Sequence, residues 1–235
     1  MSDYYYYNDG GRRGFLSNVP EVTKNLLITN CIVFLATLVN KEFIYSAFAL
    51  YYPASANFHW WQVITHMFVH GGFWHLFFNM YALYCFGTVV ERMIGPKKFL
   101  IFYFVCGLGA AGLHSGVEWL QAQAYMNGIA NGSATAMQSY AMLKAIPTVG
   151  ASGAIYGVLI AYAMLFPQSR LTLIFPPISL SAKAWVLIFA GIELFTGITG
   201  TAEGIAHFAH LGGMLIGFLL IWYWRKNNTL FNKEW

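Results

Sequence analysis

Charge is scarce in this sequence. Only 9% of its 235 residues are Asp, Glu, Lys or Arg, while 58% are hydrophobic. Soluble domains carry about 25% charged residues. A chain so poor in charge cannot cover its surface in water, which places it in a bilayer, and its length suits one helical bundle. It has no basic cluster interleaved with aromatics, so nucleic acid is not an expected partner. Its three cysteines, Cys31, Cys85 and Cys106, all fall inside apolar runs. They read as small buried hydrophobes and not as a disulfide framework. The opening MSDYYYYNDGGRRGF has no apolar core and carries Asp3 and Asp9, unlike a signal or transit peptide. There is no internal repeat, which weighs against an inverted-repeat transporter.

Long apolar runs, by contrast, are abundant. A spanning helix takes roughly 17–25 apolar residues. Six stretches qualify: about 25–40, 73–91, 99–117, 151–166, 184–199 and 205–224. The expected fold is therefore an all-α polytopic membrane bundle of six spans, with tails at 1–24 and 225–235. The run FIYSAFALYYP after Lys41 is too short to span and reads as interfacial. With six spans both termini share one side, and eleven of the thirteen Lys and Arg fall there, leaving only Lys41 and Lys144 opposite. The positive-inside rule makes that side cytoplasmic. The Ala-, Gly-, Gln-, Ser- and Asn-rich segment 119–147 reads as a flexible loop on the other side, with room for a short surface helix.

Polar residues inside spans are costly and call for an account. The candidates are His75, Asn79, Ser152, Glu193, His207 and His210. The helix after Ser152 is only about 22 Å long at 1.5 Å per residue, less than the ~30 Å hydrocarbon core. It starts below the membrane surface, so the preceding backbone must line protein or a wet cavity. Free N–H groups at that helix start can stabilise an oxyanion. Ser152 reads equally as a plain N-cap. Gly150 and Gly153 flank it. On the last span Ala206, His210, Gly213 and Gly217 fall within about 60° of one another. Such small-residue stripes let membrane helices touch. Gly153 and Gly157 of the fourth span are the natural counterpart, which would bring His210 to Ser152. His207 points off the stripe and reads as structural. His75 and Asn79, four apart, share a face and suit either an oxyanion hole or interhelical glue. Tyr156 shares a face with Ser152. No acid partner is visible on the His210 face, and Glu193 is not assigned to the pair.

Together G150-A151-S152-G153 with Tyr156, A209-H210 with Gly213 and Gly217, and H75-x-x-x-N79 resemble the rhomboid intramembrane proteases. The resemblance covers about 25–224 and includes the order of motifs. It implies a six-helix rhomboid domain with a water-accessible cavity, a Ser152 nucleophile and a His210 base acting as a dyad. It also implies an oxyanion hole from His75, Asn79 and the Ser152 N–H, with Tyr156 stacked on His210. Glu91-Arg92 followed by Gly95 looks like the family's Glu/Arg pattern. The fifth span and 200–205 would form the gate and lid. One departure is Gln62 after Trp61, where the family often has Arg; it puts that loop's anchoring in question.

The expected activity is serine endopeptidase action on transmembrane protein substrates, with membrane lipid around the enzyme and no cofactor. The expected location is a bacterial inner membrane. Two rival readings compete with this one. A metalloenzyme would use His66, His70, His75, His207 and His210, but HExxH is missing and carboxylates in the spans are almost absent. A transporter or client-binding protein would explain the polar residues but not Ser and His on small-residue stripes.

Overall fold

The structure, a computed structural model, describes residues 17–172, 177–200 and 206–231. Helix α1 (Glu21–Val39) is followed by the short surface helix α2 (Lys41–Phe48), then α3 (Gln62–Thr65) in the first loop. The second rod joins α4 (Phe73–Ala82) to α5 (Thr88–Ile94) through one π-helical turn, Leu83–Gly87. Then come α6 (Pro96–Ala130), α7 (Ala134–Ala145) and α8 (Ser152–Leu165). A two-stranded hairpin, β1 (Arg170–Thr172) with β2 (Ser179–Ser181), precedes α9 (Ala182–Thr199) and α10 (His207–Lys226). Among the described residues, five rods are long and apolar enough to cross a bilayer, and α8, at 14 residues, is the short sixth. The fold is an all-α polytopic membrane bundle whose outer surface exposes large apolar side chains such as Leu38, Phe78, Leu187 and Phe195.

Local chemistry explains where the rods begin. Pro96 opens α6 directly after Gly95, whose φ of 86° only glycine adopts readily. The start of α1 is capped from another helix. The Glu91 carboxylate, 2% exposed, accepts from the N–H groups of Val22 at 2.9 Å and Thr23 at 2.7 Å, and from the Thr23 hydroxyl at 2.7 Å. An anion there satisfies orphan donors and complements the helix dipole. Its neighbour Arg92 donates to the Asn18 carbonyl. The same end of the bundle holds Lys98 donating to the Thr229 carbonyl and Arg225 donating to the Met164 carbonyl at 2.9 Å.

Two expectations are corrected. The segment 119–147 is mostly helix and not a flexible loop, and the short helix allowed for within it is α7. Helix α6 runs on to Ala130, about 52 Å at 1.5 Å per residue, and so projects beyond a ~30 Å hydrocarbon core. It then turns at Gly132 into α7, capped by the Ser133 hydroxyl accepting from the Ala136 N–H at 3.2 Å. Ala and Gln are strong helix formers, which outweighs the scattered Gly and Asn. The second correction concerns the first loop, whose anchor is Gln62 itself. Fully buried, it accepts from the N–H groups of His59 at 3.1 Å and Tyr51 at 3.4 Å. It donates to the carbonyls of Ser46 at 3.1 Å and Asn57 at 3.0 Å. One uncharged amide thus serves four backbone groups of an irregular loop.

The centre of the bundle is a seam of small residues. A Cβ added to Gly213 of α10 would lie 1.8 Å from the Gly153 carbonyl oxygen of α8. At Gly217 it would meet Gly157 backbone at 2.9 Å, and at Gly212 the Gly109 carbonyl of α6 at 2.7 Å. Gly157 in turn faces Cys106 of α6, at 2.5 Å from a built Cβ. Helices α6, α8 and α10 therefore pack backbone to backbone, which only small residues allow.

Candidate active site

That seam determines where Ser152 and His210 sit. Ser152 is the first residue of α8 and His210 lies one turn into α10, three residues before the Gly213 contact. With the two backbones touching at Gly153, the side chains beside that contact must meet. His210 Nε2 lies 2.8 Å from Ser152 Oγ. Both line an open cavity of about 1530 Å³ together with His75, Asn79 and Tyr156. Ser152 is partly exposed to this cavity, and the His210 ring is 8% exposed.

The ring of Tyr156 stacks on that of His210, with centroids 4.3 Å apart and planes 10° from parallel. This contact restrains the imidazole plane. Gly150, with φ of 129°, occupies backbone space that side chains avoid. A Cβ there would also lie 2.9 Å from His75 Nε2. Its N–H donates to the His66 carbonyl at 2.9 Å, tying the segment before α8 to the first loop. Thr148 and Leu50 exchange two backbone hydrogen bonds at 2.8 and 3.0 Å in the same region.

His75 belongs to the same cavity wall. Its Nδ1 accepts the Gly71 N–H at 3.3 Å, which assigns the ring proton to Nε2, the nitrogen beside Gly150. Asn79 is 7% exposed and donates one Nδ2 hydrogen to the His75 carbonyl at 2.7 Å, leaving a second donor on the same amide. The structure thus brings Ser152, His210, His75, Asn79, Tyr156, Gly150, Gly153 and Gly213 together. Gly217 lies a turn farther along the seam and acts through packing alone.

The expectation that His210 has no acid partner is overturned. Glu193 of α9 places Oε1 2.9 Å from His210 Nδ1. The Tyr156 hydroxyl donates to the same Oε1 at 2.6 Å. Glu193 Oε2 lies 2.6 Å from His207 Nδ1. The reading of α10 as an isolated wheel sees only residues on that helix, and Glu193 comes from the helix beside it. His207, which points off the stripe as expected, faces this carboxylate and the Thr196 hydroxyl at 3.1 Å. The segment 201–205 lies outside the described residues. Among the described residues, no three His, Cys, Asp or Glu side chains are grouped as a metal-ligand set.

A model of the Rhomboid domain matches residues 57–227. The mitochondrial Rhomboid protein 1 of Saccharomyces cerevisiae is 32% identical over 169 residues, covering 70% of this chain and 42% of that protein. The putative rhomboid protease YdcA of Bacillus subtilis is 30% identical over 169 residues, covering 71% of this chain and 70% of that protein. Rhomboid protease AarA of Providencia stuartii is 31% identical over 197 residues, covering 80% and 65%. The chain thus spans less than half the length of the yeast protein and about two thirds of the two bacterial ones. The match runs from the first loop, through the Ser152 and His210 helices, to the end of α10, and on that ground this chain belongs to the rhomboid family.

Proposed function

We propose that this chain is an intramembrane serine endopeptidase that hydrolyses peptide bonds in or near transmembrane segments of membrane proteins. The observation that carries this reading is the 2.8 Å contact of His210 Nε2 with Ser152 Oγ at a helix start on the cavity wall. His210 takes the Ser152 proton as Oγ attacks the scissile carbonyl, then returns it to the leaving amine. Water hydrolyses the resulting acyl-enzyme. The Ser152 N–H, at the unpaired start of α8, and the donors of His75 and Asn79 stabilise the oxyanion. The relatives named as rhomboid proteases support the same reaction.

The proposed arrangement in the membrane follows the charge sorting. Both tails, 1–24 and 225–235, lie in the cytoplasm, and the rhomboid domain of 25–224 opens its cavity to the other side. The contacts of Arg92, Lys98 and Arg225 at one end of the bundle agree with that sorting. A bacterial cell membrane is the proposed location.

The test is cleavage of a tagged single-pass substrate by purified protein. Ser152→Ala and His210→Ala are expected to abolish cleavage, with the double variant no worse, because residues acting as one unit are not additive. His207→Ala should retain far more activity than His210→Ala, because His207 faces the Glu193 carboxylate and not Ser152. A fully active, folded Ser152→Ala removes the nucleophile assignment.

A further inference from the structure

The resemblance implies a dyad, yet the structure surrounds the distal face of His210 with a built polar unit. We propose that Glu193 is a positioning residue of the catalytic machinery, holding the His210 tautomer and charge. This rests on the assignment of Ser152 and His210 as nucleophile and base.

Glu193 is 6% exposed and sits on a helix long and apolar enough to cross a bilayer. A carboxylate at such depth is expensive, and it persists where partners and function compensate. Each of its partners also belongs to the site. On α8, Tyr156 donates to Oε1 at 2.6 Å while its ring stacks on His210. On α10, His207 Nδ1 faces Oε2 at 2.6 Å and fixes the second oxygen. His210 Nδ1 lies 2.9 Å from Oε1, although its N–H does not point straight at that oxygen. Catalytic hydrogen bonds are often poorly aligned without substrate and tighten when it binds.

The chemistry follows from these contacts. To accept the Ser152 proton, His210 must carry its own proton on Nδ1 and leave Nε2 free. An anion at Nδ1 selects that tautomer. When Nε2 takes the proton, the imidazolium forms beside a carboxylate already held in place by Tyr156 and His207. The groups facing His210 are Ser152 and Tyr156 from α8, Glu193 from α9, His75 from α4 and His207 on its own helix. Of these, Glu193 alone supplies negative charge.

A merely structural role, a polar tie between α9 and α10, gives a different pattern. Glu193→Gln keeps the size and an acceptor but removes the charge. Under the proposal it lowers kcat about 10²–10⁴-fold with KM within about threefold. Glu193→Asp keeps the charge on a shorter stem, so kcat falls, but less than in Glu193→Gln. Reaction of Ser152 with a fluorophosphonate in the parent protein tests the underlying assignment separately. If the parent reacts but Glu193→Gln, per folded molecule, keeps its kcat, the positioning role is overturned. Should Glu193→Gln not fold, a folded Glu193→Asp as fast as the parent overturns it as well, because the shorter stem withdraws the carboxylate from His210 Nδ1.

Discussion

Helices α9 and α10 each bring one residue to the imidazole site, but they are held by opposite means. In α10, 44% of the spanning stretch is buried, against 22% in α9. The α10 contacts are made by backbone at Gly212, Gly213 and Gly217, with no room for one methyl group. In α9, a Cβ on Gly191 would meet nothing within 4 Å, and one on Gly197 would make only moderately tight contacts at 3.2 Å. Much of α9 instead turns large side chains outward, Phe195 at 64% exposed and Ile198 at 71%. What α9 contributes inward near the site is polar: Glu193, with Thr196 beside it. His210 is therefore fixed by steric contact that cannot be adjusted, and Glu193 beside it by hydrogen bonds that can.

The sharpest way to break this contrast is a methyl group on each helix. Gly213→Ala should abolish both folding yield and activity, because the obstructing atom is a backbone carbonyl that cannot rotate away. Gly191→Ala should leave thermal midpoint and activity nearly unchanged, with a gain of up to about 1 kcal/mol from better helix propensity. Melting curves of the purified variants measure both. A well-folded, active Gly213→Ala would mean that the seam is not what holds His210.

A smaller loss is expected for Asn79→Ala. If its amide donates to an oxyanion, kcat falls about 10–10³-fold with little change in KM. If it is only interhelical glue, the thermal midpoint falls while activity per folded molecule persists. Measuring both on one preparation separates the two roles. Smaller still, Gln62→Ala should cost stability of about 1–3 kcal/mol by leaving buried backbone groups of the first loop unpaired. Its chemistry per folded molecule should be unaffected, since Gln62 touches none of the reacting residues. Thermal denaturation with activity normalised to folded protein checks this.

The contrast also explains what could be read from the sequence. The stripe of Ala206, His210, Gly213 and Gly217 lies on one helix, so a periodicity of 3.6 residues displays it directly. Its counterpart on α8 is equally local, and pairing the two stripes brings Ser152 to His210. Glu193 is hidden from such reasoning. Its relation to His210 depends on the depth and rotation of α9 against α10, which no single-helix pattern encodes. Gln62 stood out as a departure from the family pattern, but its four partners lie between Ser46 and His59, in an irregular loop without periodicity. The helical hairpin of α6 and α7 was obscured by composition, since Gly and Asn dispersed among Ala and Gln look like loop.

The most direct test of the central claim is the reaction of the purified protein with a fluorophosphonate probe, followed by mass-spectrometric mapping of the modified residue. Ser152 is expected to carry the adduct, and His210→Ala is expected to lose it because the hydroxyl then lacks its base. An adduct on any other residue, or undiminished modification of Ser152 in folded His210→Ala, would contradict the account.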